Sequence, residues 1–183
     1  MTSAMTPLLE HNEQFARTFV PVPLALPTAR VIIVTCLDHR VAPEITLGLN
    51  LGDAAVLRNA GGRVTHAVIE EIAYLAFLAK RLPGGIPSDS RVEVAVIHHT
   101  QCGTGFLVDA DYRREASEAT GVDEAALEAS AVADPYMTVK ADVELLLSSP
   151  LLPAGMGVSG HVYDVETGRI TTVVDTRYTQ SSD

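Results

Sequence analysis

Three short apolar runs punctuate this chain: Val31-Ile-Ile-Val-Thr35, the weaker Ala54-Ala-Val-Leu57, and Val92-Glu-Val-Ala-Val-Ile97. The first and third are dominated by β-branched residues, the composition of strands buried on both faces. Between the second and third runs lies a helical stretch from about Val64 to Leu82. It is apolar nearly all round (Ala67, Val68, Ile69, Ile72, Ala73, Leu75, Ala76, Phe77, Leu78), so it should be covered by the rest of the chain or by another subunit. Pro83, Gly84, Gly85 and Pro87 end it. Asp134 and Pro135 read as the N-cap and first position of a helix reaching about Ser148. Val158 to Val165 and Arg169 to Val174 flank a Glu-Thr-Gly turn and read as a terminal hairpin. Strands separated by helices predict an α/β fold with a parallel sheet and right-handed crossovers. In such sheets ligands bind beyond the carboxyl ends of the strands.

Those ends carry the chemistry. The first run leads directly into Cys36-Leu37-Asp38-His39-Arg40, and the third into His98-His99-Thr100-Gln101-Cys102-Gly103. If the strand order is 2-1-3, the two clusters face each other. Cys36, His99 and Cys102 then form two thiolates and an imidazole, a set that suits zinc and leaves a fourth tetrahedral position free. Asp38 is close enough in sequence to reach that position. Arg40 can hold its carboxylate with two hydrogen bonds. Each residue alone has a plainer explanation: a buried cysteine as a small hydrophobe, a structural histidine, an ordinary salt bridge. A Cys–His nucleophile pair also stays open. A phosphatase loop is excluded for Cys36, because Ala42 stands where its arginine belongs. No Walker or G-x-G-x-x-G pattern occurs. Gly103-Thr104-Gly105 is a short turn able to offer backbone N–H groups to an anion.

Composition narrows the class. The 183 residues suit one domain, and 47% are hydrophobic and 20% charged, an ordinary globular balance. A net charge of −10 argues against nucleic acid or an anionic membrane as partner. No apolar stretch is long enough to span a bilayer, and the start lacks the pattern of a signal peptide. Two cysteines are too few for a disulfide scaffold, so a cytoplasmic enzyme or binding domain is expected. Residues 1–30 read as an arm: one amphipathic helix bearing Met5, Leu8, Leu9, Phe15 and Phe19, then an extended connection forced by Pro21, Pro23 and Pro27. The acidic stretch from Glu115 to Glu128 reads as a solvated helical face. His39 and His66 are candidate proton shuttles because imidazole titrates near neutral pH, though a surface or packing role is the plainer explanation of each. His98 is expected to point away from the cluster, to the opposite face of its strand end.

C-x-D-x-R followed some sixty residues later by H-x-x-C, with Arg58-Asn59-Ala60-Gly61 between, resembles the β-class carbonic anhydrases from about Ala29 to Val174. The resemblance implies zinc on Cys36, His99 and Cys102, and a catalytic dyad of Asp38 and Arg40. It implies Asp38 as a fourth ligand in a closed state, and Gly103 beside the substrate. It implies a mostly parallel five-stranded sheet of order 2-1-3-4 with an antiparallel fifth strand, flanked by helices. Residues 31–183 would be the single catalytic domain. The segment Asn12…Phe15-Ala16 would match the family's N-terminal helix, which packs on a partner subunit, making a homodimer or larger homo-oligomer. The implied activity is reversible hydration of carbon dioxide to bicarbonate and a proton. Related compact enzymes hydrolyse carbonyl sulfide or carbon disulfide with the same zinc motif, and a zinc-stabilised sensor domain or a thiol enzyme using Cys36 are the readings from other classes.

Overall fold

The computed structural model describes residues 3–82 and 91–180. Five strands form one sheet: β1 (Val31–Cys36), β2 (Ala54–Asn59), β3 (Glu93–His99), β4 (Gly157–Tyr163) and β5 (Ile170–Tyr178). Their order is β2-β1-β3-β4-β5. The first four run parallel, and β5 pairs antiparallel with β4. This is the architecture the sequence predicts. Successive side chains on a strand point to opposite faces. On one face Val34, Val94, Val96, Val158 and Val162 pack against the helices α3 (His66–Ala79) and α6 (Pro135–Ser148). On the other, Ile33 and Ile97 pack with Val41 and Tyr163.

The helices form where their caps allow. Thr65 accepts a hydrogen bond from the Val68 N–H at the start of α3 (3.3 Å), and Asp134 accepts from the Tyr136 N–H at the start of α6 (2.8 Å). The expected helix from Val64 to Leu82 is thus shorter at both ends. Nor is it buried all round: Val68, Ile72, Ala76 and Ala79 face the core, while Tyr74 and Phe77 stay exposed within a single chain. The stop residues Pro83, Gly84, Gly85 and Pro87 lie outside the described residues. The stretch expected as one acidic helical face is two helices, α4 (Ala110–Thr120) and α5 (Glu124–Ser130). Gly121, at φ 74°, ends the first in the left-handed cap that glycine favours, and Asp123 caps the second. Neither buries a residue, so the face is solvated as expected.

In the arm, α1 (Thr6–Ala16) buries nothing against its own chain, and Leu8, Leu9 and Phe15 remain exposed. A four-residue helix, α2 (Pro43–Thr46), follows the first chemical cluster. The turn after β2 brings backbone against backbone. A Cβ on Gly62, at φ 67°, would sit 2.7 Å from the Cys36 nitrogen, so only glycine lets this turn close against the end of β1.

Candidate metal centre

Because β1 and β3 are neighbours, the two clusters meet. Cys36 ends β1, His99 ends β3, and Cys102 opens the tight turn Gly103–Val108. The candidate ligand atoms of Cys36, His99 and Cys102 all lie within 4.8 Å of one another, and the two sulfurs are 3.9 Å apart. All three residues are buried: Cys36 is 3% exposed, His99 0% and Cys102 8%. His99 Nδ1 lies 2.9 Å from the Thr100 carbonyl oxygen, which accepts its proton. That fixes the tautomer and leaves Nε2 as the atom for the cluster, buried and without a hydrogen-bond partner. The hydrogen bond from the Cys36 thiol pulls Cys102 well below the usual thiol range, assisted by His99 and Thr104 against the effect of burial. The same hydrogen bond, reinforced by burial, holds the Cys36 proton on. The two sulfurs and the buried His99 Nε2 are thus the three candidate donor atoms of one site. Soft thiolates with an imidazole nitrogen suit a zinc ion, so the donor set fits the metal.

Beside the cluster, Arg40 grips Asp38 at both oxygens. Nε donates to Oδ1 (3.0 Å) and Nη2 to Oδ2 (2.7 Å), and the Arg40 backbone N–H adds a third bond to Oδ1 (2.9 Å). Hydrogen bonding from Arg40 holds the Asp38 carboxyl far below the ordinary carboxylate range. Oδ2 is 3.9 Å from His99 Nε2, so the carboxylate borders the cluster while its hydrogen bonds go to Arg40. Arg40 Nη2 also donates to the Gln101 carbonyl (2.9 Å). Gln101 presents that carbonyl from a left-handed backbone, φ 53°. Arg58 braces the loop from below. It donates to the carbonyls of Cys36 (3.0 Å), Asp38 (2.8 Å) and Val41 (2.5 Å), which is how the Arg58–Gly61 segment shapes the site.

The remaining candidates separate clearly. His39 is almost fully exposed, with Nδ1 3.8 Å from Asp38 Oδ1. His66 is the first residue of α3, an exposed side chain with Nε2 3.3 Å from Glu70 Oε1. Gly103 begins the turn after Cys102, and its position has open space around it. A cleft of about 460 Å³ reaches His99 and Cys102, walled by Phe106, Val108, Val132 and Pro135. His98 points to the opposite face as expected, fully buried, with Nδ1 2.8 Å from the Thr138 hydroxyl and Nε2 3.2 Å from Asp142 Oδ2. Asp142 and its partner Arg63 escaped the sequence reading. A signal was present: Val139, Asp142, Val143 and Leu146 fall on one apolar helical stripe, and an acid there requires a partner.

The carbonic anhydrase family model matches residues 31–170. The chain belongs to the β-class carbonic anhydrase family. It is 30% identical over 166 residues to "Beta-carbonic anhydrase 1" of Mycobacterium tuberculosis, covering 90% of this chain and 94% of that protein. It is also 30% identical to a "Carbon disulfide hydrolase" of Acidianus sp., over 77% of this chain and 76% of that one. Among solved structures, a carbonic anhydrase from Streptococcus mutans superposes with a TM-score of 0.76 at 36% identity, covering 94% of this chain and 99% of that one.

The depressed Asp38 carboxyl has a consequence for stability. A carboxylate whose folded pKa lies below its unfolded value, about 3.9, stabilises the fold above that value, and the contribution is lost as pH falls through the folded pKa. The urea midpoint of reduced, metal-free protein should therefore fall between pH 6 and pH 3, and by less in Asp38→Asn. Equal falls in the two proteins would contradict the Asp38–Arg40 account.

Proposed function

We propose that this chain is a zinc enzyme that converts carbon dioxide and water reversibly into bicarbonate and a proton. The observation that carries this reading is the buried Cys36–His99–Cys102 set with the Asp38–Arg40 pair beside it. Cys36, His99 and Cys102 would hold the ion. Zinc in such a site supplies a Lewis acid that lowers the pKa of water to about 7, near the working pH. Two thiolates donate more charge than imidazoles would, so a helper at the reacting water is useful. Asp38 would accept a hydrogen bond from the reacting water and orient its lone pair toward carbon. Arg40 keeps Asp38 ionised and turned aside; if the pair parted, Asp38 would be free to close the fourth position. A purely structural zinc would call for a fourth cysteine or histidine, and among the described residues no further one joins the set. The apolar walls of the cleft suit an uncharged, linear gas, and Gly103, next in sequence to Cys102, is the residue we assign to the substrate side of the set. The released proton has His39 as an exposed acceptor next to Asp38.

The similarity to a carbon disulfide hydrolase supports a second reading in the same site, hydrolysis of carbonyl sulfide or carbon disulfide. The chain matches the mycobacterial carbonic anhydrase over nearly its whole length but spans only 76% of the disulfide hydrolase, which favours carbon dioxide. Stopped-flow carbon dioxide hydration beside a hydrogen sulfide release assay separates the two. Arg40→Ala should lose most of the hydration rate, about 100-fold or more, while keeping about one zinc per chain. Loss of the zinc instead would make Arg40 a structural residue.

We further infer a homodimer, with the arm of one subunit on its partner. The support is the uncovered apolar surface of Leu8, Leu9, Phe15, Tyr74 and Phe77. Among the described residues no helix is long and apolar enough to cross a membrane. Two unpaired buried thiols suit a reducing compartment, which supports a cytoplasmic setting. Sedimentation should give a dimer or a larger even assembly for the whole chain, and smaller species when Leu8, Leu9 and Phe15 are changed to serine. An unchanged assembly in that variant would rule out the arm as the contact.

A further inference from the structure

Asp142 is a carboxylate with no exposed surface, set among Val139, Val143 and Leu146 on α6. Its charge is fully partnered. Arg63 Nε donates to Oδ2 (2.8 Å), Arg63 Nη2 to Oδ1 (2.9 Å), and the Val64 N–H to Oδ2 (2.9 Å). The remaining guanidinium nitrogen, Nη1, donates to two backbone carbonyls, Ala129 (3.1 Å) and Ala131 (2.9 Å). Arg63 is itself held by Asn59, whose Oδ1 accepts from the Arg63 N–H and whose Nδ2 donates to the Arg63 carbonyl. One rigid fork therefore ties α6 to the connection between α5 and α6, and both to the turn that closes on Cys36.

That connection borders the sulfurs. Val132, 3% exposed, packs with Cys36 and Cys102 in a small cluster of its own and forms part of the cleft wall. The fit is close: a Cβ on Gly61 would lie 2.6 Å from the Ser130 carbonyl oxygen and 3.1 Å from Val132 Cγ2. A buried ion pair adds little stability over apolar residues of the same volume. What it does supply is geometry, because all its donors are fixed in one plane. Lysine would keep the charge and lose the fork.

We infer that Arg63, anchored on Asp142, is a positioning residue: it holds segment 129–132 so that Val132 screens the Cys36 and Cys102 sulfurs from water and closes the wall of the cleft. Only the metal-retention arm of the test rests on the zinc reading. In zinc-loaded protein, Arg63→Lys should release metal to a chromophoric chelator about tenfold faster than wild type. In reduced, metal-free protein, its Cys36 and Cys102 thiols should react several-fold faster with an aromatic disulfide reagent. The double variant R63M/D142L removes both charges at similar volume but leaves the Val64 N–H and His98 Nε2 without their acceptor, so its urea midpoint should fall, though by less than that of Asp142→Leu alone, which also strands the Arg63 charge. It should still show the faster thiol reaction, since nothing then holds the Ala129 and Ala131 carbonyls. Val132→Ala, which leaves the ion pair intact and removes the screen, should shift both rates in the same direction and keeps the test decisive if the Arg63 variants do not fold. Wild-type thiol reactivity in the folded double variant, or in Val132→Ala, overturns the inference. A wild-type protein that binds no zinc would overturn the zinc reading, and the thiol rates would still judge Arg63.

Discussion

The organisation of this chain depends on bringing two sulfurs and one imidazole nitrogen together in a largely buried pocket at the end of one cleft. The sulfurs stand 3.9 Å apart, and His99 Nε2 beside them has no hydrogen-bond partner. A buried thiolate is costly unless a cation or donors face it. Much of the surrounding structure makes that convergence rigid. Parallel pairing of β1 with β3 puts the ends of both strands side by side. Gly62 lets the turn after β2 close on the Cys36 backbone, Arg58 ties down the carbonyls that follow Cys36, and Thr100 sets the His99 tautomer. A metal ion entering this site would find ligands already oriented.

The second organising choice is that the Asp38 carboxylate is kept separate from the three candidate ligand atoms. Asp38 borders the cluster, but its oxygens are occupied by Arg40, and Arg40 is in turn fixed by the Gln101 carbonyl. That carbonyl comes from a left-handed non-glycine residue, an uncommon backbone state that persists only where the surroundings enforce it. The loop between His99 and Cys102 thus does two jobs. It spaces two candidate ligands, and it turns one peptide to hold the arginine. The overall charge of −10 would not draw an anion inward, so any attraction at the site would have to come from local cations such as Arg40.

Much of this was legible in the residues. The β-branched runs gave strands, and the abrupt change from Val-Ile to Cys-x-Asp-x-Arg and His-x-x-Cys marked where strands stop and chemistry begins. Asp134-Pro135 announced α6 because capping and proline at the first turn are local effects. What was hidden depended on tertiary contact. The all-round apolar stretch of α3 suggested burial, yet Tyr74 and Phe77 face outward in the single chain, since a hydrophobic pattern does not say which neighbour covers it. One acidic stretch became two helices because a single glycine can cap as well as interrupt. Arg63 and Asp142 are 79 residues apart; the apolar stripe around Asp142 signals that it needs a partner, but only the packing of α6 on the sheet makes that partner Arg63.

The central claim concerns the coordination set, and X-ray absorption at the zinc edge tests it most directly. Zinc in the purified protein should be surrounded by two sulfurs at about 2.3 Å, one nitrogen at about 2.0–2.1 Å and one further light atom at about 2.0–2.2 Å. A shell without sulfur, or one made of four protein-derived sulfur and nitrogen atoms with no position left over, would contradict it.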